Sequence, residues 1–191
     1  MLKKLAKKLR ILGLFLALPL TGIALLNLTT EALGATQSIS QEKLYQDNAT
    51  QTMATLMAQR LQLSEAIAIY TWNNKLPIIN PDQEKALVDQ RVAEAKSLGI
   101  DEELVQRFFI AQADALNAAC IQHFEKWVQA DLHKHLSTPD IEKLRLELNQ
   151  VDHRLMESLK DYPRSEDKVA LIKALQEQGL PRDVIDASID F

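Results

Sequence analysis

Aromatic residues, glycine, proline and cysteine are all scarce in this chain of 191 residues. Phe, Tyr and Trp together number ten, beside five Gly and six Pro. Strands are enriched in aromatic residues and are separated by Gly and Pro turns, so this composition argues against a β-rich protein. A single Cys excludes an internal disulfide. The apolar fraction of 47% is enough to form a buried core, which excludes a disordered chain.

Positive charge is not in excess either. The chain has 22 Lys and Arg against 26 Asp and Glu, so it lacks the basic excess of a nucleic-acid-binding protein. The first 35 residues contain five of those cations and one acid, which leaves 17 cations and 25 acids in the rest, a net charge near −8. A chain this acidic has no evident attraction to nucleic acid or to anionic lipid.

The amino terminus has the order of features of a secretory signal. A basic head is followed by the uncharged run Ile11–Leu28 and then by small residues at Ala32, Gly34 and Ala35. This order predicts a signal peptide over residues 1–35 and a periplasmic or secreted protein with no stable membrane contact after cleavage. The alternative is an uncleaved anchor, because the uncharged run approaches the length that spans a membrane.

The remainder has the periodicity of helices. Apolar residues recur at intervals of three, four and seven between Gln41 and Trp72, which predicts a first helix. Asn80 is the predicted N-cap of a second helix, with Pro81 at its first position and Gln83 closing a capping box. Gly99 is expected to end that helix.

Three further helices and a short final turn follow. The third helix is capped by Asp101 and runs towards Trp127, and the fourth opens after Thr138-Pro139. The fifth runs from Ser165 to Gly179, and Pro181 can begin the final turn. We therefore predict an all-α irregular bundle of about five to six helices. It forms one domain over residues 36–191, with 164–191 as a C-terminal helical extension.

Common catalytic motifs are absent from the sequence. It has no glycine-rich phosphate loop, no paired-cysteine metal site, no HExxH and no GxSxG. Cys120 and His123, with His133 and His135, suggest a zinc site only weakly, since ligands on one helix point in different directions around its axis. We predict no metal and no cofactor.

Several dispersed fragments carry more information. They are "MAQRLQLSEAIAIYTWNNKLPI", "NPDQE", "VQRFFIAQADA", "HFEKW" and "TPDIEKLR". In order and spacing they resemble the secreted, gamma-class chorismate mutases over about Met53 to Leu159. The resemblance implies an isomerase that converts chorismate to prephenate, with a small dicarboxylate as its ligand. A homodimer is compatible with the sequence.

The reaction implied by the resemblance is a pericyclic rearrangement of a dianion. No acid, base or nucleophile has to act. The protein must hold the substrate in a reactive conformation and stabilise negative charge that develops at the ether oxygen. Two carboxylates require Arg side chains, and the ether oxygen requires a Lys and a second donor.

Two family positions are retained and several are substituted. By resemblance, Arg60 and Arg145 bind the substrate carboxylates, and we expect them to converge on one cleft that Gln112 also faces. The substituted positions are Thr71 (Lys in the family), Asn80 (Asp), Gln83 (Arg), Leu116 (a small hydroxyl residue) and Cys120 (Glu or Gln). Lys75 is a candidate substitute donor if its helix continues that far, because it lies four residues after Thr71.

Three interpretations follow from this mixture. The first is an active exported chorismate mutase with a rearranged set of donors. The second is a weakened or inactive member of the family that binds a small carboxylate or nothing. The third is a helical module that contacts another protein. Each lost donor to developing charge typically costs about 10²–10³ in rate, so we expect activity to be weak or lost.

Overall fold

The structure is all-helical, as the sequence predicts. The computed structural model describes residues 23–131, 136–162 and 168–191. Within these ranges it describes the side chains from residue 41 onward. All regular structure in these ranges is helical. The helices are α1 (Ile23–Gln62), α2 (Ser64–Asn74), α3 (Pro81–Leu98), α4 (Glu102–Gln129), α5 (Ile141–Asp161), α6 (Lys168–Glu177) and α7 (Arg182–Ser188).

The first predicted helix is in fact two helices. α1 ends at Gln62 and α2 begins at Ser64, with Leu63 between them. The backbone amide of Leu63 bonds the Arg60 carbonyl at 3.2 Å, a tight turn rather than the spacing of an α-helix. Because the Ile67 amide bonds the Leu63 carbonyl at 3.0 Å, the chain resumes its helical course at once. The apolar period therefore continues across the break and cannot reveal it.

The helix ends largely follow the predicted signals. The Asn80 side chain accepts a hydrogen bond from the Gln83 amide at 3.3 Å, which confirms the N-cap of α3. The predicted capping-box partner is wrong, since the Asn80 amide donates to Glu84 Oε1 rather than to Gln83. Gly99 has φ +68° and ends α3. The Asp101 carboxylate caps α4.

The C-terminal helices form part of the main core. The predicted start of the fifth helix at Ser165 lies outside the described residues, and α6 is described from Lys168. The predicted final turn after Pro181 is α7, which packs along α4. Ile185 of α7 belongs to the same apolar cluster as Met53 of α1 and Phe108 of α4.

The chain divides into two units, Met1–Gln41 and Glu42–Phe191. In the first unit the described residues, Ile23–Gln41, are helical. The second unit contains a core whose largest fully buried side chains include Phe108, Phe109, Met57 and Leu155. Within the described ranges, no helix has the length and apolar character needed to cross a membrane.

Candidate active site

Arg60 lies in the last turn of α1 and is almost completely buried, with 1% of its side chain exposed. Its Nε donates to Asp152 Oδ1 of α5 at 2.8 Å. Its Nη1 donates to the backbone carbonyl of Gln112 in α4, also at 2.8 Å. A buried guanidinium must be paired and hydrogen-bonded to be tolerated. Arg60 therefore links three helices through contacts inside the protein.

Asp152 is fully buried and binds a second arginine. Its Oδ2 accepts from Arg91 Nη2 of α3 at 3.2 Å. Arg91 also donates to Asn149 Oδ1 at 2.6 Å and to Glu94 Oε2 at 3.1 Å. Neither Arg91 nor Asp152 is among the site residues predicted from the sequence. A signal for Arg91 was present, because it lies on the Val88–Ala95 stripe that faces the interior.

This buried network contains two cations and two anions. Glu94, at its edge, also contacts His153 Nδ1 at 2.7 Å. Partial burial opposes ionisation of Glu94, but hydrogen bonds with His153 and Arg91 outweigh it and lower the pKa of this carboxyl. Arg60 and Arg91 are thus balanced by Asp152 and Glu94. The network carries no net charge while His153 is neutral.

Gln112 is also occupied by contacts within the protein. Its side chain is fully buried, and its Nε2 donates to the backbone carbonyl of Ser188 in α7 at 3.0 Å. Its Oε1 has no hydrogen-bond partner among the described residues. The structure therefore brings the predicted site residues Arg60 and Gln112 into contact, through the backbone of Gln112.

Cys120 lies one turn of α4 beyond Leu116, in the interior. Its Sγ donates to the Ser64 carbonyl at 3.5 Å. Burial raises the pKa of the Cys120 thiol from 9.0 to about 12, although the positive charge of Arg60 opposes this shift. A thiol with that pKa is neutral at physiological pH and is a weak donor. Thr71, on α2, is buried too.

Arg145 does not join Arg60 in this structure. Its side chain is 61% exposed near the start of α5, and its Nη1 contacts Glu142 Oε1 at 2.9 Å. An exposed pair three residues apart on one helix is a common surface arrangement. Arg60, by contrast, is enclosed by α1, α4 and α5. The expected convergence of two guanidinium groups on one cleft is not present in the described conformation.

Lys75 does not have the geometry required of a substitute donor. α2 ends at Asn74, and Lys75 is its C-cap in the left-handed conformation with φ +55°. The helix therefore does not continue far enough to place Lys75 on the face of Thr71. The Lys75 side chain is exposed.

The substituted positions at the start of α3 have structural contacts. Asn80 and Gln83 form the helix cap described above. Glu84 also accepts from Asn117 Nδ2 of α4 at 3.1 Å, so it connects α3 to α4. The sequence did not reveal this contact, because the two residues are 33 positions apart.

The weakly suggested zinc site has no support from the described part of the chain. No group of three or more His, Cys, Asp or Glu residues is arranged to hold a metal ion there. His123 Nε2 lies 3.4 Å from Ser64 Oγ, and its burial lowers its pKa. His133 and His135 lie outside the described residues.

Comparison with known proteins supports the family seen in the sequence. Residues 46–116 match the model of the family described as chorismate mutase type II. A relative named secreted chorismate mutase, from Yersinia pestis, is 22% identical over 140 residues, which cover 70% of this chain and 75% of the relative.

Solved structures of chorismate mutases share the fold. The enzyme from Burkholderia phymatum has a TM-score of 0.68 at 16% identity, with coverage of 75% of this chain and 95% of that one. The enzyme from Burkholderia thailandensis has a TM-score of 0.62 at 24% identity, covering 73% and 94%. The secreted enzyme from Yersinia pestis has a TM-score of 0.61 at 22% identity, covering 71% and 91%.

The fold is therefore that of the all-helical chorismate mutases. The family match covers residues 46–116, somewhat over a third of the chain. The matched segment includes Arg60, Thr71, Arg91 and Gln112. It ends before Cys120, so the family match itself does not reach Arg145 or Asp152.

Proposed function

We propose that this chain is an exported member of the chorismate mutase family whose conversion of chorismate to prephenate is weak or lost. Chorismate is its candidate ligand. The observation that carries the proposal is the state of Arg60, whose guanidinium is buried and bound to Asp152 at 2.8 Å. In the described conformation this arginine is engaged by the protein's own carboxylate.

The chemistry of the reaction explains why that matters. The rearrangement needs a site that holds two carboxylates and stabilises charge at the ether oxygen, and these groups must be in place before the reaction. Arg145 is exposed and paired with Glu142. Thr71 and Cys120 stand where the family has donors to the ether oxygen, and neither carries a positive charge. The described residues thus lack the cationic surroundings that favour a dianion.

The expected reduction in rate can be estimated from the effect of removing one preorganised hydrogen-bond donor from an active site. Loss of one donor costs about 2.7–4 kcal/mol in the transition state, or roughly 10²–10³ in rate. Two independent losses would remove on the order of 10⁴–10⁶. That is a large part of what a site acting by positioning and electrostatics supplies, so weak or undetectable turnover is expected.

Export of this chain rests on two observations. The relative from Yersinia pestis is named as a secreted protein. The first 35 residues of this chain have the order of a basic head, an apolar run and small residues that is typical of a secretory signal. We propose a periplasmic or secreted location on this basis.

The decisive experiment is a continuous ultraviolet assay of chorismate disappearance with the purified protein. We expect a rate constant far below about 1 s⁻¹, the lower end of ordinary enzymatic turnover. Turnover at or above that value would contradict the proposal. Correct folding should be established in the same preparation by circular dichroism and a cooperative thermal transition.

A second candidate function is an inactive helical module that binds a small carboxylate or another protein. Leu76 and Ile79, between α2 and α3, have 46% and 52% of their surface exposed. They follow Trp72, whose ring packs against Trp127 of α4 at 5.6 Å. A contiguous exposed apolar surface is a feature of protein-binding sites. Calorimetry with the bicyclic dicarboxylate that mimics the transition state distinguishes ligand binding from the protein-binding alternative.

A further inference from the structure

We propose that Asp152 is the residue that withholds Arg60 from an anionic ligand and so determines the charge of the candidate active site. The inference rests on the proposed function, since it concerns the same site. It goes further because it attributes the weak or lost turnover partly to the presence of Asp152, and not only to the substitution of the family's donors. Asp152 would act as a specificity-determining residue through Arg60.

The first argument is the geometry of the guanidinium. An arginine binds a carboxylate most strongly through two parallel N–H groups. In this structure the Nε of Arg60 donates to Asp152 Oδ1, and its Nη1 donates to the Gln112 carbonyl. These two nitrogens lie on different edges of the guanidinium, one formed by Nε with Nη2 and the other by Nη1 with Nη2, so each edge has one donor nitrogen committed to the protein. With 1% of its side chain exposed, Arg60 offers no free surface to a ligand.

The second argument is that Asp152 is itself held in place. Its Oδ2 accepts from Arg91, which is anchored in turn by Asn149 and Glu94. Rotation of the Asp152 side chain away from Arg60 would break the contact with Arg91 as well. The carboxylate is thus fixed between two cations by three helices. A ligand would have to displace a preorganised internal partner to reach Arg60.

Arg60 also lies close to the substituted position Cys120. The charge of Arg60 acts on the thiol of Cys120, so the guanidinium lies close to one of the substituted catalytic positions. Its contact with the Gln112 carbonyl places it beside α4 as well. If Asp152 did not neutralise Arg60, its positive charge would act on the part of the interior where the family binds its dianion.

A matched pair of variants separates this local effect from a change in net charge. Asp152→Asn removes the carboxylate from Arg60 and retains an amide oxygen that can accept from its Nε. Glu103→Gln is the control, because it removes one negative charge from an exposed pair with Arg107, outside the buried network. The probe is the bicyclic dicarboxylate transition-state mimic, with binding measured by calorimetry. We expect Asp152→Asn to tighten binding about tenfold or more relative to the unmodified protein, and Glu103→Gln to leave it unchanged. Equal tightening in both variants, or none in a folded Asp152→Asn protein, would overturn the proposal.

A measurement on the unmodified protein remains decisive if Asp152→Asn does not fold. The Nε–Hε resonance of Arg60 can be assigned by its loss in Arg60→Lys and followed by NMR while the dicarboxylate is added. We expect no shift, because Asp152 holds that group. A saturable shift would show that ligand reaches Arg60 and would refute the role of Asp152. Neither the calorimetric binding nor the NMR shift depends on turnover. Ordinary chorismate mutase activity would therefore refute the proposed function without deciding the role of Asp152.

Discussion

Arg60 and Asp152 are 92 residues apart in sequence, yet Arg60 Nε lies 2.8 Å from Asp152 Oδ1 with both side chains essentially inaccessible to solvent. This pair connects the end of α1 to the middle of α5. It uses a residue that the family resemblance assigns to ligand binding as an internal structural link. The stability of the protein therefore depends on the same side chain that the resemblance assigns to the ligand.

The first prediction concerns stability. Asp152→Ala leaves Arg60 and Arg91 buried without their shared carboxylate, and loss of one partner of a buried pair typically costs about 3–5 kcal/mol. Urea unfolding should show a loss of this size. Arg145→Ala is the control, because the exposed pair with Glu142 should contribute less than about 1 kcal/mol. Similar losses in the two variants would contradict the structural role of Asp152.

The second prediction concerns restoration of the missing donors. Thr71→Lys combined with Cys120→Gln, followed by Gln83→Arg, should raise chorismate turnover by orders of magnitude, since each correctly placed donor contributes roughly 10²–10³. The ultraviolet assay measures the rate, and circular dichroism checks that the buried substitutions preserve the fold. A folded triple variant with no gain would show that other features limit the reaction.

The third prediction tests Lys75. Lys75 is an exposed C-cap beyond the end of α2. We therefore expect Lys75→Ala to retain whatever chorismate turnover the unmodified protein has. The same assay measures this. A fall to the uncatalysed rate would show that Lys75 moves into the site during catalysis and supplies the missing charge.

The fourth prediction concerns Cys120. Its pKa is raised to about 12 by burial, so the native thiol should resist Ellman's reagent at pH 8 and react fully after unfolding. The unfolded thiol loses its proton at lower pH than the folded one. Stability should therefore fall as pH rises above the unfolded value, by up to about 1.4 kcal/mol per pH unit from this group. Cys120→Ala should lack that component, and rapid labelling of the native protein would contradict the burial.

The fifth prediction concerns processing. If residues 1–35 are a cleaved signal, protein recovered from the cell envelope or medium should begin within a few residues of Thr36. N-terminal sequencing or intact mass spectrometry provides the measurement. A membrane-embedded form that retains Met1 would instead establish the anchor alternative.

Much of the fold was predictable because its signals are local. The apolar period over α4 and α5, the Asn80 and Asp101 caps and the left-handed Gly99 each depend on residues within a few positions of one another. The break at Leu63 was not predictable from this signal. A turn that preserves the direction of the apolar stripe leaves the period unchanged.

The candidate site was harder to predict because its contacts are long-range. Resemblance identified Arg60 and Gln112, which do meet through the Gln112 backbone. It could not identify Asp152, whose partners lie 61 and 92 residues away. A charged residue in an amphipathic helix is most often solvated. Only the tertiary structure shows that Asp152 binds both Arg60 and Arg91 in the interior.

The main apolar cluster joins residues as distant in sequence as Met53 and Ile185. A ribosome must therefore synthesise α6 and α7 before the side chains of α1 can be fully enclosed. Contacts of such long sequence separation delay the cooperative collapse of a chain. If this chain is exported, as proposed above, in an unfolded state, slow completion of the core would assist export. The nascent chain lacks a complete core during most of its synthesis, which favours its capture by a translocation apparatus before it can fold in the wrong compartment.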